Sequence, residues 1–148
     1  MIIYYFDASA WVKRYFQENG TDWVQNLFIQ DQKLACASLG LVEVIATLAR
    51  RTKSIKITDY EINQIMQNIE QDWKRFIHIH LTPEILDIAK DIAFNQSLRG
   101  ADSVHLASAL VLQKRLANNN QLIFVTSDLE LKTASNMVNI LTIDPNEE

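Results

Sequence analysis

Ile2-Ile3-Tyr4-Tyr5-Phe6-Asp7-Ala8-Ser9 reads as a strand and its exit: five apolar, aromatic or β-branched residues, then an acid and two small residues. A strand with one face in water alternates apolar and polar residues, whereas one buried on both faces does not. Near the other end, Gln121-Leu122-Ile123-Phe124-Val125-Thr126-Ser127-Asp128 repeats the pattern, an unbroken apolar run closed by hydroxyls and an acid. Two such runs call for a parallel sheet covered on both sides by helices.

The chain between them alternates accordingly. Ala10 to Gln17 is expected as a helix stopped near Asn19-Gly20, and Thr21 as the cap of a second helix reaching Ile29. Lys33 to Ala37 reads as a strand, and Ser38 as the cap of a helix to Arg51. Thr58-Asp59-Tyr60-Glu61 has the capping-box form, in which Thr and Glu satisfy each other's free backbone donors, and opens a long helix to Lys74. Phe76 to Leu81 is strand-like. Thr82-Pro83 opens a helix with Pro in its first turn, and Asp102 opens another that runs to Leu116. After the Gln121–Thr126 strand come a short helix from Leu129, a last strand over Asn139–Ile143, and an acidic tail. The prediction is an open three-layer α/β/α fold.

No repeat or composition shift divides the 148 residues, so one domain spanning 1–148 is expected. With only 3 Gly and 2 Pro, a flexible linker has little to be made of. The one cysteine, Cys36, lies between Ala35 and Ala37 and reads as a small buried hydrophobe. A lone cysteine cannot staple a fold, so a reducing cytoplasm is the expected setting. Met1 to Asp7 carries no basic leader pattern, and no apolar run approaches the ~20 residues of a membrane span. The net charge of −4 argues against a protein that coats nucleic acid through phosphate neutralisation. It leaves open an enzyme acting on nucleic acid, because acids gathered in one pocket can be neutralised there by metal ions.

In open α/β folds the active crevice lies beyond the carboxyl ends of the strands, where the strand order reverses. Asp7 follows its strand directly and Asp128 follows the second after a Thr-Ser step, Asp102 opens the helix before the second of these strands, and Glu43 lies inside a helix after a strand. Taken singly, each has a structural reading. Asp7 and Asp128 suit turns or caps, Asp102 suits a helix N-terminus, and Glu43 shares a polar arc with Thr47, Arg50 and Arg51. A doubly wound topology, however, can bring all four to one edge of the sheet. Two unit charges ~4 Å apart repel by about 4 kcal/mol at an effective dielectric near 20. Divalent cations relieve that repulsion, and hard oxygen ligands suit Mg²⁺ or Mn²⁺. Two such ions fit an in-line phosphoryl displacement.

Tyr5-Phe6-Asp7-Ala8-Ser9-Ala10-Trp11-Val12-Lys13-Arg14-Tyr15, with Glu18 and Gly20 after it, resembles the opening of PIN-domain nucleases, most of all the VapC-type toxins of bacterial toxin–antitoxin pairs. Ser38-Leu39-Gly40-Leu41-Val42-Glu43-Val44 looks like that family's second motif. The most specific match is Leu98-Arg99-Gly100-Ala101-Asp102-Ser103-Val104-His105-Leu106-Ala107-Ser108-Ala109, and Phe124-Val125-Thr126-Ser127-Asp128 is similar to the fourth motif. The ordered set spans nearly the whole chain. The resemblance implies a five-stranded parallel sheet, Mg²⁺- or Mn²⁺-dependent RNA cleavage by Asp7, Glu43, Asp102 and Asp128, homodimerisation, and inhibition by a small antitoxin. One departure stands out: Asn136-Met137-Val138-Asn139 lacks the Gly usual before the last strand.

Further residues carry open readings. The hydroxyls of Ser9 and Thr126 either orient a carboxylate or metal-bound water, or cap strand ends. Arg99, Lys13 and Arg14 either grip phosphate or are solvated surface charges. His105 reads as a hydrogen-bonded core histidine before a ligand or base. Trp11, Val12, Tyr15, Phe16, Trp23, Leu27 and Phe28 either leave an apolar groove beside Asp7 for an antitoxin segment with a basic side chain, or bury against the sheet. A signalling receiver domain would need an acidic pair after the first strand and a Lys after the last, and a phosphatase with an Asp nucleophile would need an acid where Ser9 stands. A PIN-like binding module without catalysis is the remaining alternative.

Overall fold

The structure, a computed structural model, describes residues 1–148. Five parallel strands form one sheet: β1 (Ile2–Phe6), β2 (Lys33–Ala37), β3 (Ile77–Ile79), β4 (Gln121–Val125) and β5 (Thr142–Ile143), in the order β3-β2-β1-β4-β5. β1 is central, and β4 pairs with it along its whole length, Ile2 opposite Gln121 and Phe6 opposite Val125. From β1 the chain builds outward to β2 and β3, then crosses to the other side of β1. The strand order therefore reverses between β1 and β4, and their carboxyl ends flank the crevice.

Successive β1 residues feed opposite layers. Ile3 and Tyr5 pack with α5 (Pro83–Gln96), α6 (Gly100–Arg115) and α7 (Leu129–Met137) through Ile85, Leu106 and Leu131. Phe6 packs on the other face with α1 (Ala8–Trp11), α2 (Thr21–Ile29), α3 (Ser38–Thr52) and α4 (Asp59–Arg75) through Trp11, Phe28, Val44 and Ile69. Cys36 is a free, fully buried thiol in this second layer. The three-layer α/β/α fold with five parallel strands is as expected. No helix is long and apolar enough to cross a membrane.

Capping chemistry sets most boundaries. The Thr58 hydroxyl accepts from the Glu61 N–H, and Thr82 accepts from the Ile85 N–H ahead of Pro83. Two expected caps fail. Thr21 lies inside α2, whose N-cap is Gly20 at φ +86, and Ser38 is itself helical behind Ala37. The Gly20 Cα faces Pro145, and a Cβ there would stand 2.7 Å from the Pro145 Cβ, so close approach as well as backbone hand requires glycine. The Thr21 hydroxyl instead donates to the Phe16 carbonyl and accepts from the Glu18 N–H, closing the turn before α2.

The expected Ala10–Gln17 helix is shorter. Asp7 caps α1 by accepting from the Ala10 N–H, and the chain tightens to a 3₁₀ turn over Val12–Arg14. β3 and β5 are also shorter than their apolar runs. Asn139 takes the missing glycine's place before β5, adopting φ +60, a conformation Asn tolerates better than most residues.

Of the two readings of the aromatic set on the first helices, burial describes most of it. Trp11, Val12, Leu27 and Phe28 are buried, and Tyr15, Phe16 and Trp23 are half-buried. Trp11 packs against Trp73 and Phe76 at centroid distances of 6.0 and 4.7 Å, so α4 fills the space and the bulk is core.

Candidate active site

At the β1/β4 switch a cleft of about 530 Å³ opens, lined by Asp7, Glu43, Asp102 and Asp128 together with Ser9, Lys13, Arg50, Arg51, Arg99 and His105. Each acid reaches it from a different element. Asp7 is the residue after β1, Asp128 follows β4 after the Thr126-Ser127 step, Glu43 is on α3, and Asp102 is on α6. Asp102 does not open its helix as expected. α6 begins at Gly100 behind Arg99, and Asp102 sits in the first turn, where its charge still faces the positive end of the helix dipole.

Asp7 is the buried member, 2% exposed. Its Oδ1 accepts from Ser9 Oγ at 2.8 Å and from the Ala10 N–H at 3.0 Å. Its Oδ2 accepts from Thr126 Oγ1 at 2.7 Å and shares the Ser9 hydroxyl at 2.9 Å. Burial pushes its pKa up to about 6, against the pull of these hydrogen bonds. Thr126 in turn accepts from the Asp128 N–H at 3.1 Å, and Ser9 accepts from the Ser127 N–H at 3.1 Å. The two expected hydroxyls thus tie the ends of β1 and β4 together around one carboxylate.

Asp102 and Asp128 are bridged by Arg99. Its Nε donates to Asp102 at 3.0 Å and its Nη2 to Asp128 at 2.7 Å. Burial, with the neighbouring charge of Asp128, raises the Asp102 pKa. Asp128 also caps α7 through the Leu131 N–H. Its structural and site readings therefore hold together, because one Oδ caps while the other faces the cleft. Glu43 is half-buried and accepts from His105 Nε2 at 2.5 Å. No three of the His, Cys, Asp and Glu side chains stand close enough to grip one ion as they are placed.

The basic candidates separate. Arg99 is exposed at the cleft mouth. Lys13 is buried, donating to Glu18 Oε1 at 2.9 Å and the Asn19 carbonyl at 2.8 Å, so its charge is spent on the turn before α2. Arg14 lies outside the cleft, paired with Asp72 at 2.7 Å, and is a structural cation. Arg50 is the cleft cation that sequence patterning alone does not single out. It lies two turns along α3 from Glu43 and is braced by the Thr47 hydroxyl at 3.0 Å. Every other arginine has a carboxylate partner, and Arg50 has none. The polar arc of residues 43, 47, 50 and 51 is the signal that could have found it.

Comparison with known proteins agrees with this geometry. A family model described as PIN domain matches residues 4–137. The ribonuclease VapC45 of Mycobacterium tuberculosis is 34% identical over 112 residues, covering 76% of this chain and 78% of that protein. Among solved structures, PAE2754 from Pyrobaculum aerophilum superposes with a TM-score of 0.71 at 19% identity, covering 99% of this chain and 94% of that one. A toxin–antitoxin complex from Klebsiella pneumoniae gives a TM-score of 0.62 at 13% identity, covering 95% and 96%. At such identities the structural likenesses speak for the fold alone.

Proposed function

The chain belongs to the PIN-domain family as a ribonuclease of the VapC type, and on that premise we propose that it hydrolyses RNA with a divalent cation held by Asp7, Glu43, Asp102 and Asp128. The observation that carries this reading is the convergence of four acids from four elements on one cleft at the strand-order reversal. The donor set fits a hard cation: only carboxylate oxygens are offered, and two of the carboxylates already share a positive charge, that of Arg99. When bound, Mg²⁺ or Mn²⁺ supplies polarisation of a phosphoryl oxygen and an activated water.

The chain's own residues prepare the site. Ser9 shares its hydroxyl between both oxygens of Asp7, so turning it frees a lone pair without breaking the Thr126 or Ala10 bonds. Arg99 is the side chain that must leave Asp102 and Asp128 when a metal arrives, and it is then free to meet a phosphate at the cleft mouth. Mn²⁺-dependent cleavage of a labelled RNA, absent with chelator, tests the reading. Cleavage undiminished by chelator would overturn the metal assignment.

Arg50 extends the site along α3 as a contact for a flanking phosphate of the substrate. With cleavage disabled by Asp7→Asn, Arg50→Ala is expected to weaken RNA binding severalfold and to lower the salt-dependence slope by about 1. Arg115→Ala, a remote arginine paired with Glu84 on the α6 end, should leave both unchanged. An unaltered slope in Arg50→Ala would remove Arg50 from the substrate path.

A small antitoxin is the proposed partner, supported by the toxin–antitoxin assembly among the structural neighbours. A basic antitoxin side chain would meet the same carboxylates that Arg99 meets now. A homodimer of single-domain chains in the cytoplasm completes the proposal. Its support here is the exposure of single large apolar side chains, above all Phe94 on α5 at 87%. Sedimentation at high micromolar concentration is expected to show a dimer, and a monomer there would refute it.

A further inference from the structure

We propose that His105 is a positioning residue that fixes Glu43 in the cleft through a hydrogen-bonded chain running from the backbone of β2. The proposal rests on the nuclease reading above, because Glu43 is the residue being positioned for a cation.

The chain starts where β2 ends. The Ala37 N–H donates to the Tyr5 hydroxyl at 3.1 Å, which occupies that oxygen as an acceptor and directs its own proton elsewhere. On its other side the Tyr5 hydroxyl meets His105 Nδ1 at 2.9 Å, and toward a neutral imidazole protonated on Nε2 it is Tyr5 that donates and Nδ1 that accepts. On the opposite edge of the ring, Nε2 faces the Glu43 carboxylate at 2.5 Å. An ionised carboxylate has no proton to give, so Nε2 must carry one and donate it. In a neutral ring one tautomer serves both edges, with the proton on Nε2. The sequence separations are 32, 100 and 62 residues, so no local pattern forecasts the relay.

The ring has little freedom to do anything else. His105 is 1% exposed and Tyr5 fully buried, with the Tyr5 ring stacked on Phe124 at 5.5 Å. α3 is laid against the ring at Gly40, one turn before Glu43: a Cβ there would stand 3.3 Å from His105 Cε1 and 2.3 Å from Cys36 Sγ. Glu43 itself is half-buried on a helix face, and apart from His105 nothing bonds its carboxylate. Without the imidazole it would sample several rotamers toward solvent. With it, one Oε is tethered and the other is left for the cleft. An outer partner that orients a ligating side chain typically changes metal affinity or activity by 10- to 100-fold.

Three variants test the assignment. His105→Asn keeps a polar group on the Tyr5 side and is too short for Glu43. His105→Gln reaches Glu43 with an amide N–H. Tyr5→Phe keeps the ring stack and removes only the hydroxyl. In Mn²⁺ titrations of metal-free protein, His105→Asn is expected to lose about 10- to 100-fold in affinity, with kcat falling in step and KM for RNA unchanged. His105→Gln should stay within about threefold of wild type on the same scale, and Tyr5→Phe should fall between them. Imidazole nitrogen shifts of the metal-free wild type should report the proton on Nε2.

An Nδ1–H tautomer would overturn the proposal whether or not the chain cleaves RNA. So would Asn and Gln variants that lose equally, which is what a merely structural histidine would give. If His105→Asn does not fold, Tyr5→Phe binding Mn²⁺ as wild type does would count against the relay on its own. Wild type that neither binds Mn²⁺ nor cleaves RNA, but shows the Nε2–H tautomer, would refute the nuclease reading and leave the relay standing.

Discussion

Asp7→Asn is expected to lower RNA cleavage by at least about a hundredfold, since loss of an outer partner of a ligand already reaches that range. In chelator the same variant is expected to melt higher than wild type. Asp7 has a pKa of about 6 in the fold, against about 3.8 unfolded, because burial disfavours its charge. Between those values the folded state holds a proton that the unfolded chain has released, so stability falls as pH rises through the window. Above pH 6 the full penalty is in place, a ceiling of about 3 kcal/mol for a shift of roughly two units. Asn is neutral throughout, and it still accepts from the Ala10 N–H as a good N-cap. Its advantage should therefore be absent below about pH 4 and complete above pH 6, at most roughly 6–12 °C for a chain of this size. Added Mn²⁺ should reverse the order, stabilising wild type by mass action and the variant far less. A variant that melts several degrees lower in chelator at pH 7 would mean that Asp7 is held for its cap rather than for a cation.

A reversal of that rank order by metal would separate the cap that Asp7 forms from the metal-binding role proposed for it, and one physical reason makes the sequence point to both. A strand buried on both faces must end in a polar residue that can cap the next helix, and in a doubly wound sheet that end is also the crevice. Asp7 and Asp128 were legible on that account, as were Thr58 and Thr82-Pro83, because caps and buried strands are local patterns. α1 was not, because it shortens for reasons outside its own residues: Lys13 turns inward to Glu18 and the Asn19 carbonyl, and Gly20 must clear Pro145. The fates of the cations were illegible for a like reason. Arg51 is laid over Phe16 at 4.8 Å and paired with Glu18, while its neighbour Arg50 stays free of any carboxylate, and nothing in the pair itself tells them apart. The aromatic set on the first helices was misleading through surplus. Its size answers to α4, whose Trp73 and the following Phe76 complete the stack from far along the chain.

The same long-range logic makes Asp72→Ala a substitution expected to cost much stability without touching the cleft. Asp72 on α4 is 5% exposed and accepts from Arg14 Nε and the Tyr15 hydroxyl, each at 2.7 Å. Tyr15 accepts in turn from Trp11 Nε1 at 2.8 Å, and burial with the Asp72 charge keeps its phenol protonated. Arg14 is also laid over Phe28 at 4.0 Å, so it cannot swing out to water without uncovering that ring. Removing the carboxylate leaves a guanidinium and a hydroxyl facing each other in a largely dry site. Breaking a buried pair costs about 3–5 kcal/mol, and because the Arg14 side chain keeps 24% exposure the lower end applies, about 3 kcal/mol. That corresponds to a fall of roughly 6–12 °C in Tm. Asp72→Asn, which keeps one acceptor, should fall less. None of Arg14, Tyr15 and Asp72 lines the cleft, so cleavage measured well below the new Tm should stay within about threefold of wild type. Arg14→Ala should behave alike: less stable, with RNA affinity intact. If it instead weakened RNA binding at unchanged Tm, Arg14 would belong to the substrate path, and its bond to Asp72 would be the resting place of a mobile arginine.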